Sequence, residues 1–229
     1  MQTVLFLAAG AAAVAAVATA GLESRAHTWV KTGATLLIAL LVGLSLADSP
    51  LPDFTLWLTV GLLLAAVGDH LLARYYYADE DDPRRKGLFM AGLAAFLLCH
   101  VAYLLAVLLE FGAFPWWLFG AALAPGVLLY LLLWRGMTGY RIPVAVYVLA
   151  LSAMVAAMLG LWFGSCESLG VLLPVTVGAA AFWLSDALLA VGVFERDKLP
   201  RHEGRLPEVL VLILYYLAQL SFGFVVFAC

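Results

Sequence analysis

Apolar positions in this chain run on without interruption where a soluble protein would alternate them with polar ones. Eight stretches stand out: 3–22, 29–47, 54–76, 87–110, 115–134, 142–163, 169–194 and 207–228. About 20 continuous apolar residues carry a helix across the hydrocarbon of a bilayer, so each stretch predicts a membrane-spanning helix. A transmembrane barrel would need strands of about ten residues with alternating polarity, and these runs are too long and too continuous for that. The expected fold is therefore all-α. It is a polytopic bundle of eight transmembrane helices forming one integral-membrane domain, 1–229, with short connections.

Composition strengthens this reading: 66% of residues are hydrophobic and 12% charged, and the mean hydropathy is +1.05. Charge placement adds an orientation. All 12 Lys and Arg residues fall in the four odd-numbered connections or at their edges. The even-numbered connections carry none, so the positive-inside rule predicts that the basic loops are cytoplasmic and both termini extracytoplasmic. The membrane implied is a bacterial inner (cell) membrane. The first run ends in "AVATA", which looks like a signal-peptide cleavage site, but no Lys or Arg precedes it. It is expected to stay as the first helix. A net charge of −3 and the absence of any soluble domain leave no expected nucleic-acid partner. Cys99 is expected as a small core residue, while Cys166 and Cys229 fall on the outer side, where a disulfide is chemically permitted.

Two carboxylates interrupt the apolar pattern. Asp69 sits in "GLLLAAVGDHLLARYYY" and Asp186 in "FWLSDALLA", 117 residues apart, in the third and seventh runs. The runs that follow match as well. Phe96, His100 and Tyr103 in the fourth have the spacing of Tyr215, Gln219 and Phe222 in the eighth, i, i+4, i+7 on one helical face. A duplicated four-helix unit, repeats 1–110 and 115–229, accounts for both matches and gives the copies parallel orientation. At 1.5 Å per residue both aspartates lie about 10–12 Å from the basic end of their helices. A charge facing lipid there costs about 2.5–3.5 kcal/mol on insertion scales, so both are expected to face the interior with partners. His100, Gln219 and Glu208 are the candidates. Two carboxyls in one dry cavity do not readily both ionise, which would leave an acid beside a base.

The strings Phe89 to Tyr103, "FMAGLAAFLLCHVAY", then "FWLSDALLA" from Phe182, then "YYLAQL" from Tyr215, together with Gly68-Asp69, Tyr147 and Met154, resemble the YhhN family. One departure is visible: Lys31 is followed by Thr32, where the family tends to have proline. The resemblance implies an eight-helix lysoplasmalogenase that hydrolyses the vinyl-ether bond of lysoplasmalogens to a fatty aldehyde and glycerophosphoethanolamine or glycerophosphocholine. It implies Asp69 and Asp186 as the catalytic pair and a lysophospholipid substrate drawn from the surrounding membrane lipids. The chemistry needs no metal, cofactor or covalent nucleophile. A carboxylic acid protonates the vinyl β-carbon, and a carboxylate stabilises the resulting oxocarbenium ion and activates water. His100, Ser185 and Gln219 are expected to orient these groups, with Tyr103, Tyr147 and Tyr215 as hydrogen-bonding or cavity-lining groups. Lys31 and Arg141 are expected at the lipid phosphate.

Two other functions fit parts of the pattern. A metal-dependent membrane hydrolase would want several histidines at ligand spacing. Here only His70 and His100 fall inside runs, with His27 and His202 placed in loops. A proton-coupled transporter would use the same two aspartates as carriers, and Pro125-Gly126 is the one mid-helix break suited to it.

Overall fold

The computed structural model describes residues 2–20, 25–79, 81–112, 114–164, 168–195 and 205–228. Cys166, Cys229 and His202 lie outside the described residues. Among the described residues the elements are helices, in the order α1 (Gln2–Ala18), α2 (Arg25–Leu44), α3 (Pro52–Tyr77), α4 (Arg85–Phe111), α5 (Trp116–Leu133), α6 (Arg141–Gly164), α7 (Leu169–Phe194) and α8 (Arg205–Ala228), with a short 3₁₀ turn at Leu46–Asp48. Seven of the helices are long and apolar enough to cross a bilayer, and the described apolar segment of α1, Leu7–Ala18, is shorter. This is an integral membrane protein.

The boundaries depart from the apolar runs mainly at α2. The helix begins at Arg25 rather than near residue 29, so His27 is not in a loop. It lies in the first turn of α2, buried, and its Nδ1 is 3.0 Å from the Thr19 hydroxyl at the end of α1. The polar residues Arg25, His27 and Thr28 are compatible with helix, and the apolar run records only where the bilayer begins.

Lipid is as apolar as leucine, so helices associate here by close packing rather than by escape from water. Small residues permit the approach. An added Cβ on Gly61 of α3 would fall 2.2 Å from Cε1 of Tyr103 on α4, and one on Gly178 of α7 would fall 2.4 Å from Cε1 of Phe222 on α8. These are the closest approaches at any glycine of the α3–α4 and α7–α8 pairs. The α3–α4 pair is also fastened at its far end, where the Glu110 carboxylate accepts the Phe54 backbone N–H at 3.0 Å. That carboxylate satisfies one of the unpaired N–H groups at the start of α3.

One core runs through both halves of the chain, from Phe54, Leu58 and Leu62 to Phe182, Phe222 and Val225. Helix α8 touches α1, α2 and α3 as well as α7, and α4 packs on α6. Helix α5 is the outlier. It packs on α6, meets α7 slightly and keeps its backbone apart from that of α4, and only Gly126 and Leu133 of it are buried.

Candidate functional site

Each aspartate sits eight residues before the last residue of its helix, about 12 Å along the axis. The two are thus equally far from the ends of their helices, yet their surroundings differ.

Asp69 is fully buried. Its Oδ1 lies 3.0 Å from the Lys31 ammonium. Its Oδ2 accepts hydrogen bonds from the Thr35 hydroxyl at 2.6 Å and the Tyr215 hydroxyl at 2.7 Å. Helix α2 supplies two of these partners because Lys31 and Thr35 are four residues apart on one face, and α8 supplies the third. The side chain of Lys31, expected at a lipid phosphate, is only 16% exposed and turns inward. Here the structure corrects the expectation: the ammonium is the counter-charge of Asp69. A buried carboxylate with a cation and two hydroxyl donors is the combination that makes an interior charge tolerable.

Asp186 is 11% exposed and stands in the wall of a cavity of about 80 Å³ between α4, α5, α6 and α7. The backbones of α4 and α5 stay apart around the cavity, and its lining is mostly apolar, including Leu93, Leu129, Val148 and Trp183. The Tyr147 hydroxyl donates to Asp186 Oδ2 at 2.7 Å, and His100 Nε2 is 3.4 Å from the same oxygen. No lysine or arginine pairs with Asp186 among the described residues. His100 is fully buried, its ring held edge-on between Tyr147 at 5.0 Å and Phe182 at 4.8 Å.

The partners are therefore exchanged between halves. His100, from the first half, serves Asp186; Tyr215, from the second, serves Asp69. Among the described residues no hydrogen bond joins the two carboxylates. Phe182 stands between their shells, with its ring 5.8 Å from Tyr215 and 4.8 Å from His100. The expected pair of carboxyls side by side is, in the structure, two carboxyls in separate shells divided by aromatic rings.

The remaining expected residues are bonded to neither carboxylate. Tyr103 donates to Gln219 Oε1, both fully buried, and neither is hydrogen-bonded to an aspartate. Ser185 donates to the Val211 carbonyl on α8 at 2.9 Å, so it ties α7 to α8 and does not orient a carboxylate. Arg141 stacks over Trp134 at 4.2 Å, away from both shells. Glu208 is 4.0 Å from His27 Nε2 at the entry of α8 and reaches neither aspartate.

Two residues escaped the sequence. Thr35 was hidden because a threonine in an apolar helix ordinarily bonds the carbonyl one turn back, although its spacing from Lys31 was legible. Ser152 lines the cavity with a buried hydroxyl that has no partner, and a lone serine leaves no periodic trace.

A family model described as the YhhN family matches residues 26–225. Lysoplasmalogenases of Mycobacterium bovis and Mycobacterium tuberculosis are each 32% identical to the chain over 184 residues, which cover 76% of this chain and 64% of theirs. The chain thus spans somewhat less than two thirds of the length of these relatives. No solved structure matches.

Proposed function

Because the chain belongs to the YhhN family, we propose that it is a lysoplasmalogenase, hydrolysing the vinyl ether of a lysoplasmalogen to a fatty aldehyde and a glycerophospho-alcohol. The observation that carries this reading is Asp186: a carboxyl set in the wall of an apolar cavity, hydrogen-bonded by Tyr147, with His100 Nε2 3.4 Å away. Its carboxylic acid delivers a proton to the vinyl β-carbon, and the adjacent carbon becomes an oxocarbenium ion. The carboxylate left behind faces that cation, then takes a proton from the water that attacks it. The hemiacetal collapses to aldehyde and alcohol. Proton donation, cation stabilisation and water activation thus fall to one carboxyl in sequence.

Asp69 has a different part. Matched by Lys31 and fixed by Thr35 and Tyr215, it is the positioning member of the pair. It holds Tyr215, whose ring packs on Phe182, which in turn backs His100. The duplicated unit belongs to the same reading, supported by the Gly61–Tyr103 and Gly178–Phe222 contacts 117 to 119 positions apart. So does the orientation, with the basic end cytoplasmic and substrate taken from that leaflet.

The test is aldehyde release by purified protein from a lysoplasmalogen, with the saturated alkyl-ether lysolipid as control. Release from the vinyl ether alone, lost in Asp186→Asn, is expected. Absence of aldehyde with a folded protein across lipids and pH would reject hydrolysis and return the aspartates to proton-coupled transport.

A further inference from the structure

Toward the basic end of the bundle the cavity closes on a cluster of aromatic rings. Phe89, which lines it, meets Tyr140 edge-on at 5.1 Å, Phe194 at 6.0 Å and Tyr75 at 5.2 Å. Cations stand over this cluster and its edge. The Arg85 guanidinium lies 4.9 Å from the Tyr75 ring, the Lys86 ammonium 5.8 Å from the Tyr140 ring, and the Arg141 guanidinium 4.2 Å from the Trp134 ring. Lys86 also reaches the α5–α6 connection, its Nζ 4.0 Å from where a Cβ on Gly139 would lie. All three therefore border one rim, where α4 meets the start of α6.

None of the three has a carboxylate partner among the described residues. The Arg85 Nε is buried with no acceptor, and Arg141 spends only its Nε, on the Trp134 carbonyl at 3.3 Å. On the loop before α4, Asp82 is committed to Arg84 at 3.0 Å, and Asp79 and Asp81 are exposed. An aromatic face holds a cation in place without cancelling its charge, so the N–H donors stay available to phosphate oxygens.

We propose that Arg85, Lys86 and Arg141 bind the phosphodiester of the lysolipid and thereby set which lipids reach Asp186. This rests on the vinyl-ether hydrolase reading for what enters the cavity. The spacing suits it: Arg141 precedes Tyr147 by six residues on α6, about 9 Å along the axis. Seven bonds separate the phosphorus from the vinyl β-carbon, roughly 9 Å when extended. A phosphate on the rim therefore brings the reacting carbon to the level of the Tyr147–Asp186 pair.

The experiment compares a lysoplasmalogen with the phosphate-free 1-alkenylglycerol, using the wild type, Arg85→Gln/Lys86→Gln and Arg141→Gln. For the phospholipid, KM is expected to rise about tenfold or more in each variant with kcat within about twofold. For the alkenylglycerol both constants stay as in the wild type. Arg141→Lys, which keeps the charge, recovers part of the loss. Variants that lose both substrates equally, or neither, overturn the proposal. Binding separates this from failure of the hydrolase reading: in detergent, the saturated alkyl-ether lysophospholipid is expected to bind wild type at least about tenfold tighter than the alkylglycerol. That preference disappears in the variants, whether or not aldehyde is made. Equal binding of the two wild-type ligands refutes the site. Inorganic phosphate or glycerophosphocholine displacing the lipid at equal concentration would make it a free-anion site and overturn the lipid assignment.

Discussion

Asp69 and Asp186 occupy matching places in the two halves, equally far from their helix ends, yet one is enclosed and charge-compensated while the other faces an apolar cavity with no strong cation beside it among the described residues. The second helix of each half explains the contrast. Where α2 presents Lys31 and Thr35 to Asp69, α6 presents Tyr147 to Asp186. A lysine makes an ion pair that stabilises structure. A tyrosine makes a hydrogen bond that orients a carboxyl and leaves its proton free to be given away. Matching positions in a sequence thus carry the geometry of a pair without carrying equal chemistry.

The contrast predicts opposite phenotypes. Asp186→Asn is expected to reduce kcat by about 10²–10⁴-fold, the range for loss of a general acid, while thermal unfolding in detergent stays near that of the wild type. Asp69→Asn strands the Lys31 ammonium in the interior and is expected to cost about 3–5 kcal/mol. Pairing it with Lys31→Met should restore most of that loss. Equal stability of the two single variants would erase the distinction drawn here.

Smaller effects sharpen it. Gly178→Ala forces the Phe222 ring aside, and Gly61→Ala the Tyr103 ring, each for about 1–3 kcal/mol. Of the two, only Gly61→Ala also disturbs the Tyr103–Gln219 bond. Tyr147→Phe is expected to lower kcat with stability changed by about 1 kcal/mol, whereas Tyr215→Phe should lower stability more than kcat. An aspartate outside the bilayer gives the reference. Hydrogen bonds from Arg84 hold the Asp82 carboxyl below the usual carboxylate range. Its contact is therefore present above the ordinary carboxylate range and is lost only as pH falls through the lowered folded value. Asp82→Asn should leave activity unchanged and remove that low-pH sensitivity of the α3–α4 turn, measured by amide exchange.

Helices and membrane were legible because bilayer thickness forces long apolar runs, and α3 to α7 agree with those runs to within two residues. The aspartates were legible because a charge in such a run is costly enough to demand a reason. Their partners were not. The placement of His100 on Asp186 rather than Asp69 depends on α4 packing against α6 across the halves, a choice that helical periodicity does not encode. Lys31 misled because a lysine near a helix end can reach outward or inward, and only the position of Asp69 decides. Of the basic rim only Arg141 was legible, since the aromatic rings that hold Arg85 and Lys86 come from α3 and the α5–α6 connection.

The order in which the partners occur along the chain has a consequence for how the protein is made. Lys31 and Thr35 precede Asp69, and His100 and Tyr147 precede Asp186. Synthesis proceeds from the N-terminus, so each carboxylate reaches the insertion machinery after most of its donors are already in the membrane. The penalty for placing a carboxyl in hydrocarbon is then offset as it arises. Only Tyr215 comes after the carboxylate it serves, on α8, so the site is completed when that helix docks.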